Sequence, residues 1–191
     1  LSLSISDTEV CENSSVALSV NATNAPKLVW KQKNDGESQF SEMAESGDVV
    51  NITATKSATF IVESSDELAC QSAVSNEVSL FVEEPVLVSL KNVPAEVCEG
   101  TIVLLDASIT ENCTSYGWKK NENENFAKNE LFAEDVPTET TTYEFWAKPL
   151  VCPEFLEKFV VDVEHKKNVD LTASESNICK GDDVTLTTNY P

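Results

Sequence analysis

The fold of this chain is decided by the stretch VCEGTIVLL at residues 97–105, where a cysteine and a turn precede a run of apolar residues. Similar stretches begin at Val10 and Ile178. The cysteines at their second positions, Cys11, Cys98 and Cys179, are 87 and 81 residues apart. Repetition at such a period indicates consecutive copies of one structural unit.

Apolar residues alternate on both sides of each of these cysteines. The residues five and seven positions after them are Val16 and Leu18, Val103 and Leu105, and Val184 and Leu186. The residues ten and eight positions before them are Leu1 and Leu3, Val88 and Leu90, and Val169 and Leu171. A period of two is typical of half-buried β-strands, so we expect one strand before each cysteine and another after it.

Each of the two complete units continues with a tryptophan, a threonine-rich strand and a second cysteine. Trp30 and Trp118 follow the first cysteine, and Cys70 and Cys152 come later. A Cys…Trp…Cys order with short strands is typical of immunoglobulin-like sandwiches, in which the tryptophan lies in the core. We therefore predict an all-β chain of tandem immunoglobulin-like β-sandwiches, covering 1–84, 85–165 and the first strands of a third unit at 166–191.

The six cysteines are widely spaced, and no two form a CxxC pair. With only one histidine, a metal site built on them is poorly supported, whereas disulfides in an oxidising compartment fit the spacing. We expect one bridge in each complete unit, Cys11–Cys70 and Cys98–Cys152.

Long strands would place the two cysteines of a unit at opposite ends of its sandwich, too far apart for a bridge. Two other pairings then arise: Cys11 with Cys152 of the next unit, or Cys113 with Cys152 at the same end. Cys113, which has no counterpart in the first unit, is otherwise expected to be free or to pair locally. The partner of Cys179 is expected in the missing half of the third unit.

Charge and hydropathy narrow the classes of partner. The 191 residues carry a formal charge of −20, from 33 acidic and 13 basic residues. Such a surface repels nucleic-acid phosphates and anionic membranes, so we expect neither as a partner. No apolar run reaches 18 residues, so we also expect no membrane insertion. We interpret the chain as a secreted segment whose two ends lie within a longer protein.

The repeated openings at 97–105 and 178–187 resemble those of bacterial immunoglobulin-like repeats. Trp118, the threonines of 138–142, Tyr143 and Cys152 also fit that pattern, while Asn13 departs from it because the family tends to carry glycine there. These repeats occur in very long surface proteins of gliding and related bacteria, often exported by the type IX route. The resemblance implies cell-surface stalks, adhesins and accessory modules of secreted enzymes.

No arrangement of residues indicates catalysis. His165 has no G-x-S-x-G partner, and we interpret it as a linker residue. Four acidic pairs are weak candidates for Ca²⁺, the only cofactor considered, and they lack EF-hand spacing. The pairs are Asp66-Glu67, Glu83-Glu84, Glu134-Asp135 and Asp182-Asp183.

We therefore expect a structural and adhesive stalk, not an enzyme, whose partners are its neighbouring repeats and a protein or glycan ligand at the cell surface. The alternatives are accessory modules of a secreted hydrolase and direct ligand binding by loops at the sandwich ends.

Overall fold

A computed structural model describes residues 1–22, 27–64 and 73–189. All regular structure in these residues is β, arranged as tandem immunoglobulin-like sandwiches. Among the same residues, no helix is long and apolar enough to cross a bilayer.

The first sandwich packs one sheet of three strands against a larger sheet. The smaller sheet has the order β1-β3-β6 and the larger has the order β2-β9-β7-β4-β5, with β8 paired to β7. The strand bounds are β1 Ser2–Ile5, β2 Glu9–Cys11, β3 Ser15–Asn21, β4 Leu28–Asn34, β5 Ser41–Glu42, β6 Val49–Thr53, β7 Ala58–Ser64, β8 Ala73–Val74 and β9 Val78–Glu83.

The second sandwich repeats this plan. Its sheets have the orders β10-β12-β15 and β11-β17-β16-β13-β14. The strand bounds are β10 Val88–Leu90, β11 Glu96–Cys98, β12 Val103–Ile109, β13 Ser115–Lys120, β14 Asn123–Lys128, β15 Phe132–Asp135, β16 Thr141–Lys148 and β17 Phe155–Glu164. In both sandwiches a short strand that ends in a cysteine, β2 or β11, lies parallel to the last strand.

Each sandwich has its own core around one tryptophan. Alternate residues of β3, Val16, Leu18 and Val20, point inward as their period of two predicts, and the side chain of Trp30 is fully buried among them. Trp118 is equally buried in the second core, with its ring edge-on to Phe145 at 5.0 Å. Two separate hydrophobic clusters thus hold the two sheet pairs together.

The turn after each repeated cysteine explains why Asn13 stands where the other copies have glycine. Asn13, Gly100 and Gly181 all have positive φ, at 66°, 86° and 107°. Glycine adopts this left-handed region without strain, and asparagine tolerates it better than most other residues. The substitution therefore keeps the turn.

A third pair of strands follows the second sandwich. Strands β18 Leu171–Ala173 and β19 Leu186–Thr188 pair antiparallel, with Leu171 opposite Thr188. Their leucines are exposed, Leu171 by 63% and Leu186 by 62%. These two strands consequently have no core of their own.

Candidate functional site

The end of the first sandwich is held to the second by the side chain of Glu83, the last residue of β9. Its carboxylate accepts hydrogen bonds from the backbone N–H groups of Leu150 at 3.0 Å, Val151 at 2.7 Å and Cys152 at 2.7 Å. These donors belong to the loop between β16 and β17, which we call the docking loop, residues 149–154. Only 7% of Glu83 is exposed. The three hydrogen bonds from the next sandwich compensate for the loss of water around this buried carboxylate.

The ionisation of Glu83 follows from the same contacts. Burial alone would raise the pKa of its carboxyl, but the N–H groups of Cys152, Val151 and Leu150 stabilise the charged form. The net result is a pKa below the ordinary value of 4.5. At neutral pH the contact is therefore between a carboxylate and three N–H dipoles.

A disulfide lies beside this contact and joins Cys11 to Cys152, with their Cα atoms 4.7 Å apart. The pairings expected within each unit, Cys11–Cys70 and Cys98–Cys152, are therefore wrong, as is the alternative of Cys113 with Cys152. The alternative in which Cys11 reaches the next unit is confirmed. Cys70 lies outside the described residues.

The direction of the strands explains why Cys152 pairs with Cys11 and not with Cys98. Cys98 lies opposite Glu164, the last residue of β17, whereas Cys152 precedes Phe155, the first residue of that strand. A strand of 10 residues is about 30 Å long at 3.3 Å per residue, far beyond the reach of a disulfide. In contrast, Cys11 lies at the end of the first sandwich that meets the docking loop, because β2 runs parallel to the last residues of β9.

The link between the sandwiches adds further contacts. Val86 is buried in the second core. The N–H of Leu87 donates to the hydroxyl of Thr110, and the N–H of Thr110 donates to the carbonyl oxygen of Leu87. The amide of Asn112 donates to the carbonyl oxygen of Glu84. The connecting segment is thus fastened to the second sandwich over several consecutive residues.

An open groove of about 640 Å³ runs along this joint. Three exposed apolar side chains, Phe81, Leu87 and Leu150, contribute to its walls. Cys113 also lines it, and its thiol donates to the carbonyl of Ser115 at 3.0 Å. The groove combines apolar walls with polar ones, to which Glu84, Glu111 and Thr114 contribute.

The remaining described cysteines carry free thiols. Cys98 and Cys179 are exposed, and Cys113 is half-buried. The Cys98 thiol lies at the far end of the second sandwich from the docking loop, as the register with Glu164 requires.

The tryptophans of the two cores each find a hydrogen-bond acceptor. The indole N–H of Trp30 donates to Gly47 O at 3.0 Å, and that of Trp118 donates to Leu131 O at 3.1 Å. Both rings are wholly buried and cannot stack on a sugar from solvent. Trp146 is also buried, on the opposite face of β16 from Phe145, and its Nε1 has no hydrogen-bond partner among the residues that the structure describes.

The outer face of the second sandwich carries paired charges. Glu144 bridges Lys119 at 2.9 Å and Lys158 at 3.1 Å. Burial would raise the pKa of the Glu144 carboxyl, but the two lysines lower it below its ordinary value. These ion pairs link three neighbouring strands, β13, β16 and β17.

The acidic pairs have separate roles. Asp135 accepts from Lys120 and from the hydroxyl of Tyr143, and Asp182 accepts from the N–H of Cys179 at 2.8 Å. Asp66 and Glu67 lie outside the described residues. Within the described ranges, no group of three or more His, Cys, Asp or Glu side chains has an arrangement that would hold a metal ion. His165 lies at the surface, 3.5 Å from the carboxylate of Glu99.

Glu83 is the functional residue that sequence reasoning missed, because it was grouped with Glu84 as one of four acidic pairs. A usable signal exists: both complete units end their last strand in glutamate, Glu83 and Glu164, one residue after a valine. The three backbone donors that make Glu83 distinctive come from residues 67 to 69 positions later, and no local pattern reveals them.

Comparison with known proteins gives structural neighbours only. No family model matches the chain, and no curated protein matches it. Among solved structures, the N-terminal four Ig domains of Dscam1 isoform 7.44 are 12% identical with a TM-score of 0.48, covering 82% of this chain and 42% of that one. Murine CEACAM1b is 15% identical with a TM-score of 0.43, covering 85% of this chain and 99% of that one.

The fibronectin(III)-like modules of Clostridium thermocellum CbhA are 10% identical with a TM-score of 0.37, covering 85% of this chain and 94% of those modules. The chain spans less than half the length of the first Dscam1 structures that it matches. At these identities the likeness concerns the fold alone. The chain's own strand orders and its two separate cores define it as a tandem of immunoglobulin-like β-sandwiches.

Proposed function

We propose that this chain is a spacer segment of a secreted cell-surface protein, in which linked sandwiches hold a binding region away from the surface. The observation that carries the proposal is the joint, where a disulfide and a buried carboxylate fasten the end of one sandwich to the next. Residues 1–84 and 85–165 act in it as two folding units, and 166–191 as the start of a third.

The joint has a mechanical consequence. Tension applied through the two ends of the chain passes from β2 across Cys11–Cys152 and leaves along β17. The segment between the two cysteines, which are separated by 141 residues, is bypassed. A spacer built in this way resists extension even when one sandwich opens.

The proposal also concerns the compartment of the protein and the place where its ligand binds. A disulfide is typical of an oxidising, extracellular environment, in line with the secreted location that we propose. The resemblance to bacterial immunoglobulin-like repeats adds the finer proposal of a bacterial adhesin. The protein or glycan ligand then binds elsewhere in the assembly, and we expect this segment to give no signal on a glycan array.

Single-molecule pulling through residues 1 and 191 tests the spacer role. At 3.3–3.6 Å per extended residue, reduction of the Cys11–Cys152 bridge should add roughly 500 Å to the fully unfolded length. Without reductant, the Cys98→Ser variant keeps the Cys11–Cys152 bridge and should have the same shorter length as the unmodified chain. Equal lengths before and after reduction would contradict the proposal.

A further inference from the structure

The far end of the second sandwich carries a copy of the contact that fastens the first. Cys98 lies opposite Glu164, as Cys11 lies opposite Glu83. The backbone bonds around each pair also match: Glu12 N–H donates to Glu83 O and Glu99 N–H donates to Glu164 O, both at 2.8 Å. The cysteine and the glutamate therefore occupy equivalent positions at the two ends, on backbones with the same hydrogen bonds.

The two copies differ only in what covers them. Glu83 is buried by the docking loop and Cys11 is bonded, whereas Glu164 and Cys98 are exposed. The Glu164 carboxylate lies beside that of Glu96, and a hydrogen bond and charge repulsion between them raise the pKa of Glu96.

The strands that follow indicate what would supply such donors. Leu171 pairs with Thr188 eight positions before and nine positions after Cys179. The same offsets relate Leu3 and Val20 to Cys11, and Leu90 and Ala107 to Cys98. Residues 171–188 thus repeat the register of the first two strands of both complete sandwiches.

Apolar side chains of this third segment are left without a core. Val169 is 58% exposed and Ile178 is 53% exposed, together with the two leucines of β18 and β19. Side chains that are inward-facing in the first two copies need further strands to cover them, because a two-stranded piece alone is marginal in water. A third sandwich of the same type meets that need.

We propose that Cys98 and Glu164 form a docking site for the loop between the last two strands of a following sandwich. Glu164 accepts the backbone N–H groups of that loop, and Cys98 forms a disulfide with a cysteine in it. The inference rests on the proposed tandem arrangement and names the partner of the next joint. The direct support is that the equivalent residues, Cys11 and Glu83, bind the docking loop of the second sandwich.

The covalent step is an ordinary oxidation of two thiols. Each sulfur loses one proton, and the two electrons pass to the disulfide of an extracellular thiol–disulfide oxidoreductase, which becomes a dithiol. Exchange with a mixed disulfide gives the same product, with the leaving thiol carrying one proton away.

Peptide mapping of the full-length secreted protein under non-reducing conditions tests the linkage. The expected product joins the peptide that contains Cys98 to a cysteine in a sandwich that begins after residue 165. Cys98 found as a free thiol, or joined to Cys113 or Cys179, overturns the proposal. This result is independent of the pulling experiment, so a failed joint and a failed spacer role are told apart.

The role of Glu164 is tested with a synthetic peptide of residues 148–155, activated as a 2-thiopyridyl disulfide at its cysteine. The rate of capture by each thiol is divided by its rate with a small neutral disulfide of the same leaving group. This ratio should be roughly tenfold higher at Cys98 than at exposed Cys179, which corresponds to about 1.4 kcal/mol, since the N–H groups of the peptide donate hydrogen bonds to the Glu164 carboxylate beside Cys98.

The matched variant in this assay is Glu164→Gln. It should bring the Cys98 ratio down towards that of Cys179 and leave Cys179 unchanged. A scrambled peptide should show no preference for Cys98. Equal ratios at the two cysteines in the unmodified chain would overturn the docking site.

Discussion

The end of the first sandwich that carries Cys11 and Glu83 and the end of the second that carries Cys98 and Glu164 have the same backbone pairing. They differ in whether a neighbouring sandwich covers them. At the first, Glu83 is 7% exposed and the adjoining cysteine is bonded, while at the second, Glu164 and Cys98 are exposed. The strands that carry them pair in the same register. Burial of this glutamate is therefore a property of the neighbour that docks on it and not of the sandwich that carries it.

The cores give the complementary result, because they are alike in both copies. Trp30 and Trp118 are each fully buried, and each donates its N–H to a backbone carbonyl. Among the described residues, the hydrophobic cluster around each tryptophan contains side chains of its own sandwich alone. Substitutions in the cores should accordingly have equal effects in the two copies, and substitutions at the ends should not.

The largest expected effect tests the equality of the cores. Trp30→Ala and Trp118→Ala should each lower the free energy of unfolding of its own sandwich by about 3–5 kcal/mol, through lost burial and the cavity left behind. Chemical denaturation followed by circular dichroism measures both. In Trp30→Ala, fluorescence of the remaining tryptophans should report an unchanged second sandwich. Leu104→Ala, at a residue 52% exposed, is the control.

The next effect separates the two ends. Cys11→Ser should cost about 2–4 kcal/mol because it removes the disulfide, whereas Cys98→Ser should stay within about 0.5 kcal/mol in this chain. Thermal unfolding under non-reducing conditions gives the comparison. Equal losses from the two variants would show that the ends do not differ as described.

A smaller effect is expected for the carboxylates. Glu83→Gln should cost about 1.5–3 kcal/mol, since three N–H groups lose a charged acceptor, while Glu164→Gln should cost little because that carboxylate is exposed. Denaturant titration at pH 7 measures both. Glu84→Gln, an exposed neighbour, is the matched control.

The Glu83 effect should also depend on pH with a definite sign. Its pKa in the folded chain lies below the ordinary 4.5, so its contribution is fully present above pH 4.5. The contribution is lost as the pH falls through the lower, folded-state pKa. The difference between the unmodified chain and Glu83→Gln should therefore shrink as the pH falls below 4.5, and a difference that grows would contradict this assignment.

The smallest effect concerns the turn that both ends share. Asn13→Ala and Gly100→Ala place alanine at φ 66° and 86°, and each should cost about 1–2 kcal/mol through backbone strain alone. A Cβ at Gly100 would meet only the end of Lys166 at 4.0 Å, so steric overlap does not contribute. Asn13→Gly should be within about 0.5 kcal/mol of the unmodified chain, as measured by the same unfolding assay.

Local patterns were sufficient to predict the strands and what faces inward. Val16 and Leu18, like Val103 and Leu105, lie two positions apart in the sequence, and all four are buried as a period of two predicts. Their side chains report a property of the strand itself, which short-range sequence carries. The immunoglobulin-like arrangement follows from repeating such strands around a tryptophan.

The pairing of the cysteines could not be read in the same way. Three pairings were compatible with the spacing, because sequence separation does not tell at which end of a sandwich a residue lies. Cys11 and Cys152 are separated by 141 residues, yet their Cα atoms are 4.7 Å apart. The same holds for Glu83, whose three donors arrive from the neighbouring sandwich.

The amino-acid sequence by itself determined the β-class, the repeated unit and the buried tryptophans, since each depends on residues that are neighbours along one or two strands. Only the tertiary structure decided which cysteines bond and which glutamate is buried, because both depend on the direction in which strands run and on the end of a sandwich that meets the next one.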